Sequence, residues 1–239
     1  QDLSVLFEGK APQPRDHFTL GYGEHVWCRD DRYVMFVRGD MLIAAILALW
    51  VAGHLDDVLG GRARGLGGHL RSALRGRPTT GILKLVAGVA AGVGLALALG
   101  GGAVRVAAAA ILVAVATNLW NALDVVPGRA LKWGIVALVP LVAASWRGDY
   151  GIVGAATLGV AAAGLPFDLR ERAMLGDAGS NPLGFVVGAG LALSLPTAGV
   201  VAAAAAALAL QAAAETVTIS RLVEAAPPLR WFDRLGRPE

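Results

Sequence analysis

The chain has 239 residues, of which 56% are hydrophobic and only 16% charged, against about 25% charged in a soluble domain. That balance argues against an ordinary water-soluble enzyme and against disorder, which needs low hydrophobicity and high charge; the single cysteine, Cys28, excludes a disulfide framework. A net charge of +3 says little by itself about nucleic acid, and none is expected as a partner.

Residues 1–39 form a polar, aromatic N-terminal segment of unknown role, distinct from a membrane domain expected over 40–239. The chain opens on Gln1 rather than Met, which reads as a processed or truncated start. The segment has no signal-peptide pattern. His17 to Leu20 and Arg32 to Val37 read as short strands, with Asp30-Asp31 as a turn. His17, His25 and Cys28 fit no metal-ligand spacing.

After it come apolar blocks at about 41–55, 82–100, 104–123, 131–146, 150–166, 182–196 and 197–218. A membrane-spanning helix needs about 20 largely apolar residues, so the expected fold is all-α, a polytopic transmembrane bundle of about seven spans. Many of the blocks are rich in Ala and Gly, which let helices approach closely in lipid. The loops and tail on one side carry Arg62, Arg64, Arg71, Arg75, Arg77, Arg129, Lys132, Arg170, Arg172, Arg221, Arg230, Arg234 and Arg237. The other side has only Arg105 and Arg147 between spans. The basic side is therefore expected in the cytoplasm, with the chain start outside. The segment from Arg62 to Arg77 is expected on anionic lipid.

Three polar islands interrupt the apolar pattern. His54-Leu55-Asp56-Asp57 closes the first block. Two adjacent carboxylates repel unless a proton or cation intervenes, and a hard divalent ion prefers such oxygens; a solvated acidic helix end is the plainer reading. Asn118, Asn121 and Asp124 follow at i, i+3 and i+6, roughly along one helix face. They suit metal, phosphate or a nucleobase edge, or simply interhelical hydrogen bonds worth about 0.6 kcal/mol each. Leu175-Gly176-Asp177-Ala178-Gly179-Ser180-Asn181-Pro182 reads as a tight loop before a helix, with Ser180 or Asn181 as its cap. A helix start there would offer free N–H groups to phosphate. An even number of crossings separates each island from the next, so all three fall on the cytoplasmic side. Acid, metal and arginine together are how proteins handle phosphate-bearing substrates.

These motifs resemble those of the polyprenyl-phosphate N-acetylhexosamine-1-phosphate transferases, of glycosyltransferase family 4 type. Leu55-Asp56-Asp57 is similar to the family's aspartate pair, Asn118-x-x-Asn121-x-x-Asp124 to its Asn-x-x-Asn-x-x-Asp helix end, and Gly176-Asp177-Ala178-Gly179-Ser180 to its Gly-Asp-x-Gly-Ser loop. Thr80-Gly81-Ile82-Leu83-Lys84-Leu85 is a weaker match. The resemblance runs from about residue 41 to 235. It implies Mg²⁺-dependent transfer of a phospho-N-acetylsugar from a UDP-sugar to a polyprenyl phosphate such as undecaprenyl phosphate, with release of UMP, in cell-wall (peptidoglycan) or surface-polysaccharide synthesis at the plasma membrane. It implies that Asp56, Asp57 and Asp177 are catalytic, with Asp177 and Asp57 on the metal, for which Mn²⁺ is a substitute. Asn118, Asn121, Asp124, Lys84, Gly179 and Ser180 would contact substrate. A homodimer is compatible with it.

This sequence departs from the family where Asp124 is followed by Val125-Val126-Pro127-Gly128-Arg129 instead of a second Asp-Gly. The region from Arg221 to Glu239 also lacks the family's histidine loop, and known members have further helices before the aspartate pair. Two other readings compete: a non-catalytic descendant that binds lipid or partner proteins, and a small transporter. The transporter fits less well, because its polar groups belong near the bilayer midplane and these lie at span ends.

Overall fold

The computed structural model describes residues 18–22, 25–29, 31–59, 72, 74–76, 79–146, 148–217 and 219–238, with side chains from Asp40 onward except Glu215. Two units emerge, Gln1–Val37 and Arg38–Glu239. In the first, β1 (Phe18–Tyr22) and β2 (His25–Arg29) pair antiparallel, with Phe18 opposite Arg29 and Tyr22 opposite His25. The expected first strand is therefore present, but Arg32 to Val37 are helical. They open α1 (Asp31–Leu59), whose apolar run carries the helix through them without a break. His17 and the side chains of His25 and Cys28 lie outside what is described, as do Arg62, Arg64, Arg71 and Arg77.

In the second unit every regular element among the described residues is a helix. After α1 come α2 (Thr80–Leu99), α3 (Ala103–Leu123), α4 (Arg129–Ser145), α5 (Asp149–Asp168), α6 (Gly176–Ser194) and α7 (Thr197–Thr216), then two short helices, α8 (Ile219–Ala225) and α9 (Pro227–Arg234). Five of them are long and apolar enough to cross a membrane, at Asp40–Leu59, Thr80–Leu99, Ala103–Leu123, Asp149–Asp168 and Thr197–Ala214. The chain is an integral multi-pass membrane protein.

The expected spans at 131–146 and 182–196 fall in α4 and α6, which do not reach that standard. α4 has 17 residues and buries Arg129 and Lys132 in its first turn; α6 begins with the polar run Gly-Asp-Ala-Gly-Ser-Asn. Both still run the length of the bundle. Their far ends meet where Ser145 Oγ lies 3.4 Å from Ser194 Oγ. At that same end Arg105, in the first turn of α3, donates to the carbonyls of Ala192 (2.9 Å) and Leu195 (3.0 Å), where α6 has run out of backbone donors.

α6 is the central helix, with Leu183, Phe185, Val186, Val187, Ala189 and Ala192 all buried. It packs on α2, α3, α4, α5 and α7. The α3 seam is especially close. A Cβ on Gly184 would stand 2.5 Å from the Ala116 carbonyl oxygen, and one on Gly188 would stand 3.0 Å from Val113 Cα. In lipid, where apolar surface alone drives little association, such contact between backbones supplies the packing energy. The outward faces carry exposed Ile43, Leu47, Trp50, Val86, Val93, Ile111, Val160 and Leu208, as suits a wall that meets acyl chains.

Candidate active site

The ends opposite the Arg105 clamp bring all three polar islands together. Asp56 and Asp57 end α1, Thr80 and Lys84 begin α2, Asn118, Asn121 and Asp124 end α3, and Asp177, Ser180 and Asn181 begin α6. The alternation inferred from the sequence thus becomes side-chain contact.

Lys84 sits at the centre. Its Nζ donates to Asp56 Oδ2 at 3.2 Å and to Asp177 Oδ2 at 2.5 Å, joining α1 and α6 through one ammonium. Thr80, one turn earlier, donates its hydroxyl to the other Asp56 oxygen. The weakest of the sequence matches therefore supplies the residue that ties the other two carboxylates together.

Asp57 is placed differently. On a helix its side chain points about 100° away from that of Asp56, and it meets the start of α6. Its two oxygens accept from the backbone N–H groups of Asp177 and Ala178, both at 3.0 Å. The Gly176 N–H, near Asp124, favours the charged form of that carboxyl. Two successive amides at the head of α6 are thus taken by Asp57, which also opposes the positive end of the helix dipole. This corrects the expectation of free N–H groups for phosphate. It also explains why the Gly-Asp-x-Gly-Ser stretch is helix rather than loop: a carboxylate distant in sequence satisfies donors of its first turn. Pro182 then lies inside α6 and not in its first turn. Gly176 adopts φ +65°, and a Cβ there would come within 2.9 Å of Asp57 Oδ2, so glycine permits both the turn and the contact.

α3 descends antiparallel along α6. Asn121 Oδ1 accepts from Ser180 Oγ at 3.1 Å. Asn118 lines a small cleft with Lys84, Thr117 and Asn181. Asn181 is 1% exposed. Its Nδ2 donates to the Asp177 carbonyl at 2.7 Å, while its Oδ1 has no partner among the described residues. Sequence reading treated Asn181 only as a cap. Gly179 has a packing role, since a Cβ would strike Leu175 Cδ1 at 2.5 Å.

Burial, first of all, pushes Asp124 up to about 7, reinforced by the Asp168 carboxylate and opposed by the Gly176 N–H. Burial likewise pushes Asp177 up to about 6, together with its hydrogen-bonded neighbour Asp56, while Lys84 acts in the other direction. Asp233 lies below the usual carboxylate range despite burial, because Arg129 and Arg237 hold its charge. A carboxyl raised in the folded state binds its proton more tightly there than when unfolded, so the fold loses stability as pH rises from about 4 through about 7. The metal-free protein in detergent should therefore melt higher at about pH 5.5 than at about pH 8, and Asp124→Asn should shrink that difference. Asp233 has the opposite sign but acts only in stronger acid. Thermal unfolding across this range tests the prediction, and a melting temperature that rises steadily with pH would contradict it.

Among the described residues no three of His, Cys, Asp or Glu gather closely enough to hold a metal unaided. A divalent ion held jointly by protein and substrate is a different case. Mg²⁺ commonly takes one or two carboxylates and completes its shell with phosphate oxygens and water. Asp56 and Asp177 already share one cationic centre, the Lys84 ammonium, so the donor set fits such an ion.

The multi-pass bundle thus carries an acidic, lysine-bridged centre at one end. The sequence pattern of glycosyl transferase family 4 matches residues 40–195, well over half of the chain, and the chain belongs to that family. Its members are glycosyl and phosphosugar transferases, and membership implies transfer of a sugar-1-phosphate to a polyprenyl phosphate. No curated protein and no solved structure was found to match the chain.

Proposed function

We propose that this protein transfers a phospho-N-acetylsugar from a UDP-sugar to a polyprenyl phosphate at the cytoplasmic face of the plasma membrane, making a lipid intermediate for cell-wall or surface-polysaccharide synthesis. The observation that carries this reading is the Asp56–Lys84–Asp177 constellation, which joins the family motifs at one end of the bundle. An oxygen of the lipid phosphate attacks the β-phosphorus of the donor. The bond from that phosphorus to the bridging oxygen breaks, and UMP leaves with the electron pair. Mg²⁺, when bound, would be held by Asp56 and Asp177 and would offset charge on the pyrophosphate. Lys84 stands between the same two carboxylates and is positioned to hold a phosphate oxygen. Asn118, Asn121 and Asp124 line the donor side, with Ser180 orienting Asn121.

In this reading Asp56 takes the metal role that the resemblance implied for Asp57. Asp57 instead fixes the head of α6 and so aims Asp177. Support for the cytoplasmic placement comes from Arg129, Arg170, Arg172, Arg230 and Arg234, all in segments at the site end.

The test is UMP release by purified protein in detergent, with undecaprenyl phosphate, Mg²⁺ and a panel of UDP-N-acetylsugars. Release with one donor, dependent on both the lipid and the cation, is expected. Absence of release with every donor, beside an active family member in parallel, would overturn the reading in favour of a non-catalytic lipid-binding descendant.

A further inference from the structure

The matched family region ends at residue 195, yet residues beyond it reach back to the loop that carries Asp124. Arg129, the first residue of α4, is 2% exposed. Its guanidinium forks onto Asp233 of α9, Nε to Oδ1 at 2.7 Å and the second nitrogen to Oδ2 at 3.0 Å, and its third nitrogen donates to Ser220 Oγ at 2.9 Å. Lys132, one turn later, donates to the carbonyls of Phe232 (3.0 Å), Asp233 (2.5 Å) and Leu235 (3.1 Å). These carbonyls close the end of α9, where Phe232 also accepts from the Leu235 N–H at 3.3 Å. Arg237 donates through Nε to the Pro127 carbonyl at 2.9 Å, and a terminal nitrogen lies 2.9 Å from Asp233 Oδ2 as an ion pair without hydrogen-bond geometry.

The same loop is gripped from its other side. Asp168, at the end of α5, accepts from the Gly128 N–H at 3.0 Å. Gly128 has φ +74°, and a Cβ there would stand 2.5 Å from Leu169 Cδ2. The loop from Asp124 to Arg129 thus has anchors at Pro127, Gly128 and Arg129, and its first residue lies near the Gly176 N–H, beside Asp177. Burying an ion pair is a poor way to gain stability, because apolar packing of equal volume usually does as well. Fixing the geometry of one loop is what these bonds do that apolar packing cannot.

We propose that the α8–α9 pair is a positioning clamp: Asp233 and Arg237, acting through Pro127, Gly128 and Arg129, hold Asp124 against the head of α6 and so set affinity for the nucleotide-sugar donor. This rests on the reading above that Asp124 lines the donor side. The effect belongs mainly to donor binding, since neither residue reaches the lysine-bridged carboxylates.

The experiment uses the full chain in detergent and compares Arg237→Ala, Arg237→Lys and Asp233→Asn with the surface control Arg234→Ala, whose guanidinium pairs with exposed Glu224. Arg237 is 21% exposed at its side chain, so its removal should not prevent folding. Arg237→Ala is expected to raise the donor KM about tenfold with kcat nearly unchanged, the size of one hydrogen bond to a charged group. Amide exchange across 125–132, measured without donor, should quicken by about as much. Arg237→Lys should recover part of both effects, and Arg234→Ala should change neither. Exchange in the Arg237→Ala and Asp233→Asn variants within about twofold of the parent would overturn the clamp, as would an unchanged donor KM in an active parent. If the parent itself turns over no donor, the proposed activity fails, while the exchange measurement still decides whether the loop is clamped.

Discussion

Asp177→Asn is expected to lower turnover about 10³-fold or more, which is about 4 kcal/mol of transition-state stabilisation, while the bundle stays folded. The reason lies in which atoms of Asp177 do what. Its backbone N–H is held by Asp57 and its carbonyl by Asn181, so the amide variant keeps the backbone contacts that seat the head of α6. What it loses is the charge that meets Lys84 at 2.5 Å and that a divalent ion would need. Steady-state UMP release beside thermal unfolding checks both halves. Turnover within about tenfold of the parent would remove Asp177 from the catalytic centre.

That separation of backbone from side chain marks the limit of what the sequence displayed. The motif order and the even number of crossings placed the three islands at one end, because helix length and loop charge are local properties. Which of two adjacent aspartates faces Lys84 was not legible: Asp56 and Asp57 differ by one helical step, and only their partners on α2 and α6 tell them apart. Asn181 looked like a cap because the Gly-rich stretch looked like a loop. Arg129 and Lys132 looked like loop charge on the cytoplasmic side under the positive-inside rule, and their acceptors lie 91 to 104 residues away along the chain. Arg32 to Val37 has strand-like composition, but it adjoins an apolar helix that simply continues through it.

The second large effect comes from a residue with no chemistry. Gly53→Ala should damage both stability and turnover, because a Cβ there would stand 2.4 Å from the Asp177 carbonyl oxygen and 2.7 Å from the Ala178 nitrogen. Those are backbone atoms, which no rotamer can move aside. Overpacking of this kind costs about 1–3 kcal/mol or more. The relief available is for α1 to draw back from α6, taking Asp56 and Asp57 with it. A displacement of about 1 Å in positioning groups is worth about 10²-fold in rate. Gly159→Ala serves as the control, since a Cβ on that α5 residue meets nothing within 4 Å, and it should leave melting and turnover unchanged. Equal behaviour of the two variants would show that the approach of α1 to α6 does not hold the site together.

The touching backbones of α3 and α6 have a consequence for the route of a lipid. With Gly184 against Ala116 and Gly188 against Val113, that seam has no lumen, and an isoprenoid tail has no passage through it. Among the described residues, apolar surface open to such a tail lies on the outside, where Ile43, Leu47 and Trp50 of α1 and Val86 and Val93 of α2 stand exposed. These two helices also deliver Asp56 and Lys84 to the centre. A prenyl acceptor would then be gripped by its head alone and keep its tail among the surrounding acyl chains, so that a small bundle can serve a molecule too long to enclose.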